Sequence, residues 1–167
     1  MLAEVLMKIT SLKDENKKEV ESIVASSWGD STMAVHGELY DLCKLPCLVA
    51  TSDNNDLLGY CYYRISGDEC EIMAMEAIQH NRGVGTALIN TVLKEAENKN
   101  LKRVYLQTTN DNFKAFRFYQ RRGFTMCNVR FNELNKSRML KPAIPLIGTD
   151  NIPLLHEIEF EIKLDKN

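Results

Sequence analysis

A strand pattern, a glycine pair and a helix pattern follow one another between Glu69 and Asn98. Side chains alternate over residues 69–75, which predicts a strand with two distinct faces. One predicted face carries Cys70, Ile72 and Ala74, and the other carries Glu69, Glu71, Met73 and Met75. From about Gly83 to Asn98, apolar residues recur every four positions, which predicts a helix. These apolar residues are Val84, Leu88, Val92 and Ala96.

The start of this predicted helix has the features of an anion site. Gly83-Val84-Gly85-Thr86-Ala87 opens the helix, where backbone N–H groups lack partners and the helix dipole is positive. Two glycines let the backbone approach a phosphate or pyrophosphate closely. A P-loop needs a lysine where Thr86 stands, and a Rossmann fingerprint needs a third glycine where Leu88 stands. A glycine pair that merely begins a helix is the alternative.

The rest of the chain predicts a single α/β domain over residues 1–167, with helices packed on a mixed sheet. The order is a strand meander followed by alternating strands and helices. Strands are predicted over 45–51, 57–65, 101–107, 124–131 and 155–164, and further helices over 13–26 and 112–122. Residues 132–141 carry no clear signal, and prolines and a glycine punctuate a loop over 142–153.

Composition argues against several classes of protein. A net charge of -2 gives no general attraction to nucleic acid or acidic membranes. There is no run of about 18 apolar residues, and the apolar Met1–Met7 segment is too short for a signal peptide. The five cysteines form no Cys-x-x-Cys pair, and a site of Cys43, Cys47 and His36 lacks a fourth metal ligand. We expect a reduced, cytoplasmic protein without a metal.

A second stretch, from Asn110 to Phe124, gives the glycine turn a specific meaning. Together the two stretches resemble the GNAT superfamily of acyl-coenzyme A-dependent N-acetyltransferases. The superfamily's pyrophosphate motif, Arg/Gln-x-x-Gly-x-Gly/Ala, corresponds to residues 80–85, with His80 where Arg or Gln is usual. Its later motif, Asn-x-x-Ala-x-x-Phe-Tyr-x-x-x-Gly-Phe, is matched by Asn112, Ala115, Phe118, Tyr119, Gly123 and Phe124. The tail from Lys141 to Glu161 resembles that of a bacterial subgroup whose substrates are mostly unassigned.

The resemblance implies a fold and a coenzyme site. The expected fold is a splayed, mostly antiparallel sheet of six to seven strands flanked by helices, with the pantetheine arm of acetyl-CoA in the gap. The residues implied in coenzyme binding are Met73, Met75, Arg82, Gly83, Val84, Gly85, Thr86, Ala87, Asn112 and Tyr119. The two methionines would act through their backbone, and their side chains are otherwise core residues. Asn112 is alternatively the N-cap of its helix.

The resemblance also implies catalytic roles. Acyl transfer needs a neutral amine, a stabilised oxyanion and a proton for the departing thiolate. Tyr119 matches the tyrosine that lies near the coenzyme sulfur, and we interpret it as the general acid; the alternative is helix packing. Glu71, and after it Glu69, are the candidate general bases, although a solvated strand face is the usual place for glutamate. Glu76 is expected to begin the loop, where it caps or contacts substrate.

The remaining charged residues and histidines are expected to be structural. Glu157, Glu159 and Glu161 alternate with apolar residues, which predicts a strand with these glutamates in solvent. If this strand borders the acceptor site, its acidity favours a cationic amine. His36, His80 and His156 are isolated in the sequence and are expected to be structural or on the surface.

The resulting hypothesis is an N-acetyltransferase that moves an acetyl group from acetyl-CoA to a primary amine by direct attack. A non-catalytic acyl-CoA sensor or assembly module is the alternative, and it needs the glycine turn but not Tyr119. An unrelated nucleotide-phosphate binder is disfavoured by the match over residues 112–124. A homodimer is conceivable through an edge strand at Leu155–Leu164.

Overall fold

The computed structural model describes residues 6–79 and 82–164, and within them four helices and nine strands surround the predicted glycine turn. The strands are β1 (Met7–Ser11), β2 (Thr32–Val35), β3 (Glu38–Asp41), β4 (Cys47–Ser52), β5 (Leu57–Ser66), β6 (Glu69–Ala77), β7 (Arg103–Thr109), β8 (Thr125–Arg130) and β9 (Glu157–Lys163). The helices are α1 (Asp14–Trp28), α2 (Val84–Asn98), α3 (Phe113–Gln120) and α4 (Glu133–Leu140), with 3-10 turns at Leu42–Lys44 and Thr149–Asn151. The predictions on Met1–Val5 and His80 lie outside the described residues.

Seven strands form one sheet in the order β1-β4-β5-β6-β7-β9-β8, and β2 and β3 form a separate hairpin. Only β6 and β7 pair in parallel; the other neighbours in the large sheet are antiparallel. The prediction of a mixed α/β fold with a mostly antiparallel sheet is confirmed. No helix in the described ranges combines the length and apolar character needed to cross a membrane.

Helices α2 and α3 cover one face of the sheet, and α1 with the β2–β3 hairpin covers the other. On the first side, Leu88 and Val92 of α2 pack with Phe160 of β9 in one apolar core. On the second side, Val20 and Val24 of α1 pack with sheet residues in a separate core. Helices α1 and α2 each bury residues spaced four apart, which is the spacing that brings side chains to one helical face. The sheet is thus enclosed on both sides.

Strands β6 and β7 diverge after a short parallel pairing. They pair over Glu69–Ile72 and Arg103–Leu106, and the residues that follow in both strands have no such pairing. The carboxyl ends of the two strands therefore open a gap in the sheet. The gap lies beside the start of α2 and positions the candidate site.

A β-bulge in β6 corrects the predicted alternation of its side chains. Tyr62 pairs with Ala74 and Tyr63 with Ile72, so Met73 has no partner in β5. An extra residue of this kind shifts the following side chains to the opposite faces. Ile72 and Met75 consequently face the α2 side, while Ala74 joins Met73 in the core on the α1 side. The prediction that Ala74 shares a face with Ile72 is wrong.

The last strand also differs from expectation. Strand β9 lies between β7 and β8, so the prediction that it is an edge strand available for pairing between chains is wrong. Its Glu157 and Glu159 are buried, although we expected them in solvent. The β2–β3 hairpin and α4, neither of which the sequence patterns indicated, lie on the α1 side and contact each other. A homodimer would need another surface.

Candidate active site

A cleft of about 480 Å³ opens where β6 and β7 diverge, between the end of β6, the start of α2 and helix α3. Most of the residues predicted to bind a coenzyme line this cleft: Met73, Met75, Gly83, Val84, Gly85, Thr86, Asn112 and Tyr119. Arg82, Ala87, Glu69 and Glu71 do not line it. The fold thus brings together two stretches that are about 30 residues apart in the chain.

The glycine turn forms the N-terminus of α2 at one wall of the cleft. Gly83 is the N-cap residue and has φ 75°, a left-handed conformation that favours glycine. The first hydrogen bond of the helix runs from the Ala87 N–H to the Gly83 carbonyl, 2.9 Å away. The N–H groups of Val84, Gly85 and Thr86 precede that bond and have no acceptor within the helix. They are left without an intrahelical acceptor at this wall of the cleft, whereas the Ala87 N–H is already used.

Gly85 also lets α3 pack closely against the start of α2. A Cβ atom at this position would lie 2.9 Å from Cζ of Phe118, which is closer than real Cβ atoms approach other atoms. The Phe118 ring lies under the guanidinium of Arg122, with Cζ of Arg122 3.6 Å from the ring centroid. The second glycine is therefore required by packing between the two helices.

Arg122 provides a cation at the same wall. Its Nε and Nη2 donate to Oγ1 of Thr86 at 2.9 and 2.7 Å, and its Nη1 donates to the Phe118 carbonyl at 2.8 Å. Arg122 and Lys114 both line the cleft. The sequence analysis assigned neither residue a role. A signal for Arg122 existed, because it lies three positions after Tyr119 and four after Phe118, and such residues share a helical face.

Tyr119 lies in the wall formed by α3. Its side chain is buried, and its ring contacts the rings of Phe118 and Phe124 edge to face. The phenol forms no hydrogen bond with the described residues, and burial raises its pKa above the ordinary value. The hydroxyl therefore stays protonated near neutral pH. Asn112 accepts a hydrogen bond from the Ala115 N–H at 3.1 Å, which confirms that it is the N-cap of α3.

The two predicted bases lie in ion pairs on the sheet face opposite α2 and α3. Glu71 is buried and accepts hydrogen bonds from His36 Nε2 at 2.7 Å, Arg64 Nη2 at 2.8 Å and the Tyr105 hydroxyl at 3.2 Å. Burial alone raises its pKa, but the bonds from His36 and Arg64 outweigh burial and lower the pKa below the ordinary value. Glu69 forms two hydrogen bonds with Arg103, at 2.7 and 3.2 Å.

His36 and Arg64 were not recognised as site residues from the sequence. His36 lies in the turn of the β2–β3 hairpin, and Arg64 lies on β5. The pairing with Glu71 raises the pKa of His36 despite the opposing effect of burial. No local pattern links these residues to Glu71, because they are brought together only when the hairpin covers the sheet. Glu76 lies within β6 rather than in the loop, and it accepts hydrogen bonds from Ser27 and Tyr60.

Cations explain why Glu159 of β9 is buried. Its carboxylate accepts hydrogen bonds from Arg103, Gln107 and Arg130, at 2.7 to 2.9 Å. Burial raises the pKa of Glu159, but hydrogen bonds from these three partners outweigh burial. They lower the pKa of Glu159 to about 2. Glu161 also accepts from Arg103. The predicted solvent exposure of these glutamates is wrong because arginines of neighbouring strands share their face.

The described residues contain neither a candidate metal-binding group nor a disulfide. Across 6–79 and 82–164, no group of three or more His, Cys, Asp or Glu side chains is arranged to hold a metal ion. All five cysteines fall in these ranges and are free thiols. His156 accepts a hydrogen bond from the Asn132 N–H through Nδ1, in keeping with a structural role.

Comparison with known proteins identifies the class to which this site belongs. Residues 10–124 match the Acetyltransferase (GNAT) family. The chain is 34% identical over 149 residues to the uncharacterized protein YdhI of Bacillus subtilis (strain 168). The aligned region covers 89% of this chain and 93% of YdhI. The chain is 32% identical over 142 residues to the uncharacterized protein YxbD of the same organism, with 85% and 89% covered.

The fold is shared with solved acetyltransferases. A GNAT family acetyltransferase from Elizabethkingia anophelis, solved with acetyl-CoA bound, has a TM-score of 0.67 and 17% identity, covering 95% of this chain and 98% of that one. The family match spans more than half of the chain. The chain therefore belongs to the GNAT family of acetyltransferases. The protein is an acyltransferase, as the sequence resemblance predicted.

Proposed function

We propose that the protein is an N-acetyltransferase that transfers the acetyl group of acetyl-CoA to a primary amine by direct attack. The observation that carries this proposal is the cleft between β6 and β7, which joins the free N–H groups of the α2 N-terminus to the buried Tyr119 hydroxyl. The glycine turn suits a pyrophosphate, and the wall that holds Tyr119 suits a thioester. The non-catalytic alternative is not favoured for a member of this family of enzymes.

The donor side of the cleft supports acetyl-CoA as co-substrate. In our proposal the N–H groups of Val84, Gly85 and Thr86 bind the pyrophosphate, and the helix dipole favours its charge. The pantetheine arm lies along Met73 and Met75, where β6 has no partner on the β7 side. Two structural neighbours were solved with this type of ligand, one with acetyl-CoA and one with CoA.

The chemical step in the proposal uses Tyr119 as general acid. A neutral amine attacks the thioester carbonyl carbon, and the C–S bond then breaks. Protonation by a positioned acid helps a thiolate to leave. The Tyr119 hydroxyl is available for this, because its raised pKa keeps the proton in place and no described residue competes for it.

The identity of the acceptor amine and the cellular compartment are also part of the proposal. Solved neighbours include acetyltransferases for a ribosomal-protein alanine, for nourseothricin and for spermidine or spermine. These neighbours share the fold, so they suggest amines to test rather than a substrate for this chain. The free thiols fit a reducing compartment, and we propose the cytoplasm.

The experiment is a thiol-release assay with acetyl-CoA and a panel of amines: spermidine, kanamycin, free amino acids and a peptide that begins with alanine. We expect release of the CoA thiol that depends on one of these amines, together with an acetylated product of matching amount by mass spectrometry. Protein that binds acetyl-CoA but acetylates none of these amines would contradict the proposed acceptor class.

Arg122 gives a prediction for the donor side. In our proposal Arg122 also places a positive charge beside the pyrophosphate, so replacement of Arg122 by glutamine should raise the Kd for acetyl-CoA about tenfold. Isothermal titration calorimetry measures the change. Arg121→Gln is the matched control, since Arg121 is exposed and does not line the cleft. Equal Kd values for the two variants would remove Arg122 from the phosphate site.

A further inference from the structure

Glu157 on β9 is a buried carboxylate with one oxygen that has no partner. Its side chain is 4% exposed, and its Oε2 forms no hydrogen bond with the described residues. An unpaired charge in a buried position is costly, so proteins seldom keep one without a use. The alternating pattern of β9 predicts this glutamate in solvent, and no catalytic role follows from that pattern.

The neighbours of Glu157 leave it unpaired, although cations lie close by. Arg130, its pairing partner on β8, donates instead to Gln107 and Glu159. His36 of the hairpin donates to Glu71. The other two buried carboxylates of this sheet face, Glu71 and Glu159, are thus each held by cations. Glu157 alone among these three has a free oxygen.

The position of Glu157 relates it to the cleft. On β7, Gln107 and Thr108 line the cleft, and the next residue, Thr109, is the pairing partner of Glu157. Gln107 also donates to Glu159, so the cleft and the polar sheet face share a side chain. The face that carries Glu157 is opposite the face covered by α2 and α3. That face is covered by α1 and the β2–β3 hairpin, and the cleft reaches it, because Trp28 of α1 and Met73 and Ala74 of the α1-side core line the cleft. An acceptor that enters the cleft on this side does not cross the wall formed by α2 and α3.

Charge around Glu157 suits proton transfer at neutral pH. Burial, reinforced by Glu133 on α4, raises the pKa of Glu157 to about 7 against the opposing effects of Arg130 and His36. Glu71, on β6, adds a small effect in the same direction as Glu133. A general base is most effective when its pKa lies near the working pH. Glu71, with its lowered pKa, is less suited to take a proton.

We propose that Glu157, rather than Glu71 or Glu69, accepts the proton of the attacking amine. This inference rests on the proposed function. The amine arrives as an ammonium ion, and the Glu157 carboxylate takes one proton from it, directly or through a water molecule. The neutral nitrogen forms a bond to the thioester carbon, and the C–S bond breaks. The thiolate takes the Tyr119 proton, the extra proton on the amide nitrogen returns to Tyr119, and Glu157 releases its own proton to solvent.

The kinetic test compares Glu157→Gln with the wild type, using the member of the amine panel that the wild type acetylates fastest. We expect kcat of the wild type to rise with pH through about 7, and kcat of the variant to fall roughly 100-fold and lose that rise. The Kd for acetyl-CoA should not change. Glu133→Gln is the matched control: it should keep wild-type kcat within about twofold and move the rise to lower pH, because a neighbouring negative charge is removed.

A thermal test needs no acceptor. The folded-state pKa of Glu157 is raised above its ordinary value, so the folded protein loses stability as pH increases from that value to about 7. The unfolding midpoint of the wild type should therefore fall relative to that of Glu157→Gln over this interval. At lower pH the two midpoints should lie closer together.

The outcomes separate this inference from the proposed function. If the wild type acetylates an amine and Glu157→Gln keeps the same kcat and pH profile, Glu157 is not the base and the proposed function stands. Identical pH dependence of the two unfolding midpoints also overturns the inference. If the wild type binds acetyl-CoA but acetylates no amine of the panel, the proposed function fails and the inference fails with it.

Discussion

Valine at position 85 should abolish measurable acetyl-CoA binding, with an increase in Kd of at least about 100-fold. The Cβ atom alone would lie 2.9 Å from Cζ of Phe118 and 3.8 Å from Cε of Met75. The two further methyl groups must displace α3 or enter the cleft. Either change moves the N–H groups of Val84, Gly85 and Thr86 away from the position that suits a pyrophosphate.

Calorimetry measures this loss, and circular dichroism checks that the fold survives. Asn90→Val is the matched control, because Asn90 is exposed on the same helix and the variant introduces the same side chain away from α3 and the cleft. The control should keep the wild-type Kd. Acetyl-CoA binding by a folded Gly85→Val protein with unchanged affinity would contradict the proposed position of the pyrophosphate.

Phenylalanine at position 119 should lower kcat by roughly 100-fold while leaving the Kd for acetyl-CoA within about twofold, because only a proton donor is removed. The phenyl ring keeps the edge-to-face contacts with Phe118 and Phe124, whose ring centroids lie 5.1 and 5.3 Å from that of Tyr119. Helix α3 should therefore stay in place.

Tyr63→Phe is the control for removal of a tyrosine hydroxyl. Its hydroxyl donates to Glu95 at 2.9 Å, and Tyr63 does not line the active-site cleft. The loss of one hydrogen bond should cost about 1 kcal/mol of stability and leave kcat unchanged. Steady-state kinetics with each variant separates loss of a proton donor from loss of a structural hydrogen bond. An unchanged kcat in Tyr119→Phe would leave Tyr119 with a packing role only.

The elements around the glycine turn were predictable from the sequence because they depend on local patterns. Strand β6, the glycine turn and α2 follow one another within 30 residues, and the N-cap of α3 is read from Asn112 alone. Each of these features depends on backbone conformation and on side-chain periodicity. These local signals need no knowledge of distant contacts, so the positions of the three elements agree with the prediction, although the bulge changes the faces of Ala74 and Met75.

The polar sheet face around Glu71 and Glu159 was not predictable because distant elements form it. Alternating glutamates on β9 normally indicate a solvated strand face, and nothing nearby in the sequence shows that arginines of β7 and β8 share that face. His36 and Glu71, which come together when the hairpin covers the sheet, are 35 residues apart along the chain. The bulge at Met73 likewise depends on how β5 and β6 pair. Burial of charge therefore emerged only from tertiary structure.

The most direct test of the central claim is a calorimetric titration of the wild-type protein with acetyl-CoA and, separately, with S-acetylpantetheine, which lacks the pyrophosphate. The account predicts that one acetyl-CoA binds per chain and that S-acetylpantetheine binds at least about tenfold more weakly, because it cannot reach the N-terminus of α2 with a charged group. Absence of acetyl-CoA binding, or equal affinity for the two compounds, would contradict it.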